Sequence, residues 1–202
     1  MKQALAHFRK TDPVMRGLVR RLGPYAIEYS PPDFATMVRC IVYQQLSGKV
    51  ASVIYDRLER AAGNGRRLTP AAVIGTPEAD LRAVGLSRRK AEFIRDLALA
   101  CDRGELSLEA LEDASDEEVL RTLTARPGIG PWTVHMFLIF GLRRPDVLPT
   151  GDLGVRVAVR NVYGLAETPA PAEVARIGSP WRPYASVATW YLWRSLGDGV
   201  GL

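Results

Sequence analysis

Residues 123–142, LTARPGIGPWTVHMFLIFGL, hold the pattern in this chain that says most about chemistry. A helix that stops at Pro127-Gly128, turns through Ile129-Gly130 and restarts with Pro131 in its first position has the form of a helix-hairpin-helix. Two glycines flanking one apolar residue permit a tight turn, and the amide N–H groups that begin the second helix then point outward at an anion. A DNA phosphate suits such a place, contacted through Gly128, Ile129, Gly130 and Thr133. The same residues can also do no more than end one helix and begin the next.

About twenty residues further on stands Asp152, in Pro149-Thr150-Gly151-Asp152-Leu153-Gly154. An aspartate after glycine and before an apolar helix is a common N-cap, and capping alone would account for it. Capping and catalysis are compatible, because the positive end of a helix favours an ionised carboxylate.

Other residues are candidates of second rank. Gln45-Leu46-Ser47 interrupts an apolar helical run, as suits a helix end at a binding surface, although Leu46 is equally readable as core and Gln44 and Gln45 as helix-terminal hydrogen-bonding groups. Ser87-Arg88-Arg89-Lys90 opens a basic helix start that can neutralise phosphates through Arg89 and Lys90, or can simply be a solvated face. Trp181, Tyr184, Trp190, Tyr191 and Trp193 concentrate aromatic rings near the C-terminus. The acidic run Glu112, Asp113, Asp116, Glu117 and Glu118 suits a helix start and receives no catalytic part. His7 and His135 have no partners for a metal site or a triad, and Cys40 and Cys101, far apart and in no CxxC pair, read as two buried free thiols in place of a zinc or iron–sulfur site.

Helices must position these residues. Asp12-Pro13, Pro31-Pro32-Asp33, Thr69-Pro70 and Thr76-Pro77-Glu78 are helix-start signatures, the apolar residues between them recur at helical spacing, and no stretch alternates with period two. The spacing predicts an all-α chain of about ten helices, the later ones near 87–103, 107–112, 115–124, 131–141, 153–163, 170–177 and 181–196. With 202 residues, 47% hydrophobic and 24% charged, the chain can bury a substantial core and is neither disordered nor collagen-like. A net charge of +5 favours an anionic partner, but a cationic set of 23 arginines and four lysines reflects genome composition as readily as phosphate binding. Neither a secretion signal nor a run long enough to span a membrane is found, which predicts a cytoplasmic protein with no membrane partner.

Taken together, PGIGPWT, the apolar helix after it and DVLPTGDLGVR resemble the helix-hairpin-helix (HhH-GPD) DNA glycosylase superfamily, and within it the 3-methyladenine DNA glycosylase II type, over residues 34–196. The resemblance implies two helical lobes with an active-site cleft between them, 34–144 containing the hairpin and 1–33 plus 145–202 carrying Asp152. It makes Asp152 the essential carboxylate, which stabilises the oxocarbenium-like sugar left when the N-glycosidic bond breaks. A base alkylated at a ring nitrogen is already cationic and needs no strong acid to help it leave. Trp132 occupies the position at which lyase members of the superfamily hold a Schiff-base lysine; an indole cannot form one, so a monofunctional enzyme is implied. Trp132 would stack on the electron-poor base, with Met136, Trp190 and Gln45 around it, and Leu46 would enter the gap left by the flipped nucleotide.

The implied partner is double-stranded DNA containing a damaged base, bound by a monomer. No organic cofactor and no metal is required beyond a structural monovalent cation that the hairpin carbonyls are able to hold. Three departures from the pattern stand out: no β-rich N-terminal domain, Met136 where that type commonly has a tyrosine, and no C-terminal cysteine cluster of the endonuclease III branch. Two other readings remain open at the level of sequence, a non-catalytic DNA-binding module and a glycosylase for deaminated or oxidised bases.

Overall fold

The computed structural model describes residues 2–197, and every regular element among them is helical. Helices α1 (Lys2–Thr11) and α2 (Pro13–Leu22) come first. Then follow α3 (Phe34–Tyr43), α4 (Gly48–Ala61), α5 (Pro70–Gly75), α6 (Glu78–Ala83), α7 (Arg88–Asp102), α8 (Asp116–Thr124) and α9 (Pro131–Met136), the last running directly into a π-helical turn, Phe137–Gly141. Helices α10 (Leu153–Tyr163), α11 (Pro171–Ile177) and α12 (Ala185–Ser195) complete the set.

Local chemistry explains most of the starts. Asp12 caps α2 ahead of Pro13, Asp33 caps α3, Thr69 caps α5 ahead of Pro70, and Ser115 with Glu118 forms a reciprocal capping box on α8. Gly164 ends α10 in the left-handed conformation, and its N–H donates to the Arg160 carbonyl. Three stretches differ in detail from the sequence expectation: 107–112 holds a 3-10 turn at Glu109–Asp113, 131–141 changes from α to π at Phe137, and 181–196 becomes a 3-10 turn at Ser179–Trp181 followed by α12. Pro183, which has no N–H to give, separates the last two. Helix α1 was not anticipated, because it has no capping signal and buries only Ala4 and Phe8.

The chain divides into two compact units: one takes the chain up to Glu28 and again from Arg143, the other is Tyr29–Leu142. Segment 29–33 goes with the second unit because Ser30 N donates to Phe140 O (3.0 Å) and Asp33 pairs with Arg67. In that unit α3 is the centre, apolar and buried on almost every side and packed by α4, α7, α9 and the π turn. In the other unit α12 has the same role, packed by α10 and α2.

Asp12 ties the first unit together. Its Oδ1 accepts from the amides of Val14 and Met15, both at 2.9 Å. Its Oδ2 accepts from the Tyr163 hydroxyl and from Trp181 Nε1 at 2.9 Å. One carboxylate thus joins the start of α2 to the end of α10 and to the wholly buried Trp181. Burial, and then the hydrogen bond to Asp12, push the Tyr163 phenol above its ordinary value; burial, and then Glu59, do the same to Tyr55. Cys40 is buried and its thiol is pushed up to about 12, whereas Cys101 is only half-buried and raised to about 11, so neither is a ready nucleophile at neutral pH.

Asp12→Ala orphans buried donors on two elements and is expected to cost about 3 kcal/mol, read as a fall in urea midpoint with an unchanged slope. The raised phenols have a definite sign. Unfolded tyrosines ionise near pH 10 while the native ones stay neutral, so their contribution is intact below about pH 10 and is lost as pH rises further. Melting curves taken on either side of that pH should show the drop, and Tyr163→Phe should flatten it.

Candidate active site

The hairpin lies wholly within the unit 29–142. Gly128 sits at φ +75°, and a Cβ placed there would meet Phe93 Cδ2 at 2.0 Å, so α7 closes the space that a side chain would need. Ile129 turns inward, 4% exposed, and Gly130 forms the N-cap of α9 with no side chain to compete for the first-turn N–H groups. Those groups, which come after Pro131 at the first position, are the feature that suits an external anion.

One long-range side chain holds this turn in place, and a second closes the helix end from which it reaches. Gln44, at the end of α3, donates through Nε2 to the Gly128 carbonyl and to Thr133 Oγ1, both at 2.8 Å. Lys90 donates through Nζ to the carbonyls of Val42 (2.7 Å) and Gln44 (2.8 Å), closing the C-terminal end of α3. Burial holds the Lys90 ammonium below the ordinary lysine range, so this charge faces inward. The expected phosphate contact from the Lys90 side chain is therefore replaced by a structural one, while Arg89 beside it is exposed. Thr133 is likewise buried, 2% exposed, and its hydroxyl is engaged by Gln44. His135, lowered by burial against the opposing effect of Asp116, adds no charge at neutral pH.

The chain between α3 and α4 projects outward. Gln45 adopts φ +57°, a left-handed conformation costing about 1 kcal/mol for such a residue, and Gln45 and Leu46 are both exposed. Exposure of 39% removes the reading of Leu46 as core. Trp132 is half-buried, but Met136, one turn later, is 1% exposed and packs inside the unit, so its thioether does not line an open surface.

The other unit carries Asp152 at the N-cap of α10. Its Oδ1 accepts from Val155 N at 2.7 Å and from Trp193 Nε1 at 2.9 Å. Leu153, next in the chain, is 65% exposed, so the capped end of α10 opens to solvent. Trp190 is half-buried and meets Tyr25 and Tyr191 edge-on, with ring centroids 4.8 and 4.9 Å apart. Gln44 has the helix-terminal hydrogen-bonding role that the sequence suggested. Sequence reasoning missed two of these residues: Trp193 was visible only as a member of an aromatic run, and Tyr25 gave no signal.

No group of His, Cys, Asp and Glu among the described residues could hold a metal ion, and no helix among them is long and apolar enough to cross a membrane. A recess of about 230 Å³ beside α3 and α4 includes Arg39, Tyr43, Tyr55, Asp56, Glu59 and Arg67 and contains none of the expected residues. Its carboxylates stand among its guanidinium groups, a poor match for phosphate.

A helical chain with a glycine hairpin on one unit and a capped aspartate on the other is the architecture of a base-excision repair protein. The chain belongs to the HhH-GPD superfamily of base excision DNA repair proteins, whose family model matches residues 38–183. It is 32% identical to DNA-3-methyladenine glycosylase 1 of Schizosaccharomyces pombe, covering 96% of this chain and 87% of that one. The solved structure of S. pombe 3-methyladenine DNA glycosylase (Mag1) in complex with abasic DNA superposes with a TM-score of 0.91 at 33% identity, covering 96% of both chains. The DNA-3-methyladenine glycosidase of Bacillus halodurans superposes with a TM-score of 0.77 at 35% identity, covering 95% of this chain and 88% of that one.

The two hairpin glycines should respond differently to substitution. Gly128→Ala combines a positive φ with the Phe93 clash and is expected to lose at least about 2 kcal/mol of stability, whereas Gly130→Ala, with no atom within 4 Å of its Cβ, should lose under about 1 kcal/mol. Denaturant titration of the two variants side by side checks this.

Proposed function

We propose that this protein is a monofunctional DNA glycosylase that removes alkylated purines, of the 3-methyladenine and 7-methylguanine type, from duplex DNA by base flipping. The observation that carries the reading is the carboxylate of Asp152, fixed at the N-terminal end of α10 by two donors on one oxygen. Such a group stabilises positive charge as it develops on the deoxyribose. The glycosidic bond breaks with its electron pair leaving on the base, which neutralises the cationic purine. A water oxygen then bonds to the sugar carbon and releases a proton, giving free base and an abasic site.

Trp132 supplies an indole face for an electron-poor base, with Trp190 and Gln45 as further pocket groups. Leu46, exposed on its projecting turn, acts as the wedge. Phosphate is held by the backbone of Gly128, Ile129 and Gly130 at the start of α9, assisted by Arg89. Thr133 and Lys90 serve the same site from inside, Thr133 by tying the hairpin to Gln44 and Lys90 by bonding the Gln44 carbonyl at the end of α3. The hairpin carbonyls are also able to take a monovalent cation. Lyase chemistry needs an amine to form a Schiff base with the sugar, and Trp132 offers none. The protein acts as a monomer in the cytoplasm. The S. pombe and B. halodurans proteins named above, each called after 3-methyladenine, support this substrate class.

Methylated duplex DNA should release free 3-methyladenine without strand nicking. Asp152→Asn and Asp152→Ala should each slow release by about a hundredfold or more while still binding DNA. Release of uracil or 8-oxoguanine in place of methylated bases would move the substrate class, and binding without release of any base would leave a DNA-binding module.

A further inference from the structure

An aspartate at an N-cap normally engages only its own helix, and the bond from Val155 N to Asp152 Oδ1 does this for α10. One hydrogen bond leaves the carboxylate able to pivot about it. Here a second donor reaches the same oxygen from another helix, 41 residues away in sequence: Trp193 Nε1, on α12. Trp193 is 2% exposed, within a stretch of α12 in which Ala188, Tyr191 and Leu192 are completely buried, so its ring cannot follow a moving partner. The indole N–H is a donor only and has no alternative role to exchange into. Two donors converging on Oδ1, one from each of two packed helices, fix the rotamer and plane of the carboxylate and thereby the direction of Oδ2.

We propose that Trp193 is a positioning residue, which fixes the orientation of the Asp152 carboxylate and through it sets the rate of base release. The proposal rests on the reading of Asp152 given above. It concerns geometry: a carboxylate stabilises a nearby developing cation only while it points at it, and a misplacement of about 1 Å costs on the order of a hundredfold in rate.

The test separates rate, affinity and contact. Trp193→Phe keeps most of the ring and removes the N–H. A Trp193 analogue bearing sulfur in place of Nε1–H, introduced at that position alone, keeps the full ring volume and serves if the phenylalanine variant folds poorly. Both are expected to lower the single-turnover rate of 3-methyladenine release by about 10- to 100-fold while affinity for the same duplex stays within about threefold. Independently of catalysis, the Trp193 indole proton should resonate downfield in wild type and move upfield in Asp152→Ala. Wild-type rates in both Trp193 variants, or an indole resonance indifferent to Asp152→Ala, overturn the proposal. If the wild-type protein releases no base at all, the glycosylase reading fails separately, and the indole resonance alone decides whether Trp193 orients Asp152.

Discussion

Helix ends set the terms for this molecule. Each α-helix leaves backbone N–H groups at its start and carbonyl groups at its finish without partners, and a chain built from many short helices has many such ends. Several starts are settled locally, by Asp33, Thr69, Ser87 or Ser115. Others are settled across the fold. Lys90 and Gln44 close the finish of α3 and hold the hairpin turn, Trp193 completes the cap of α10, and Trp181 and Tyr163 complete the cap of α2.

This gives the candidate site its character. Positive potential at the start of α9 suits phosphate, and positive potential at the start of α10 suits a carboxylate. The same physical feature recurs in the two units, with glycine at the N-cap of α9, where it leaves the first amides open, and aspartate at the N-cap of α10, where it places a negative charge. Thr133 and Lys90 both engage groups of their own unit, Thr133 through Gln44 at the turn and Lys90 through the carbonyls that end α3.

Capping chemistry and helical periodicity are local, and they made the all-α architecture, the starts of α2, α3, α5 and α8 and the position of Asp152 readable from residue order. Helix α1 escaped notice because packing of Ala4 and Phe8, with no cap, marks it. Met136 was placed beside the base by resemblance alone, at a position where the type commonly has a tyrosine, and its side chain is 1% exposed in the structure.

What residue order determined was each group's type and its place on its own helix: Gly128 and Gly130 at a turn, Asp152 at an N-cap, Trp132 in the first turn after the hairpin. What only the tertiary structure decided was which distant side chains meet them. Gln44 reaches the hairpin, Lys90 points inward, and Trp193 donates to Asp152. The reason is physical. A cap or a turn is encoded within four or five residues, whereas a hydrogen bond between residues 41 to 89 positions apart depends on how helices pack, and that depends on the side chains of the whole unit at once.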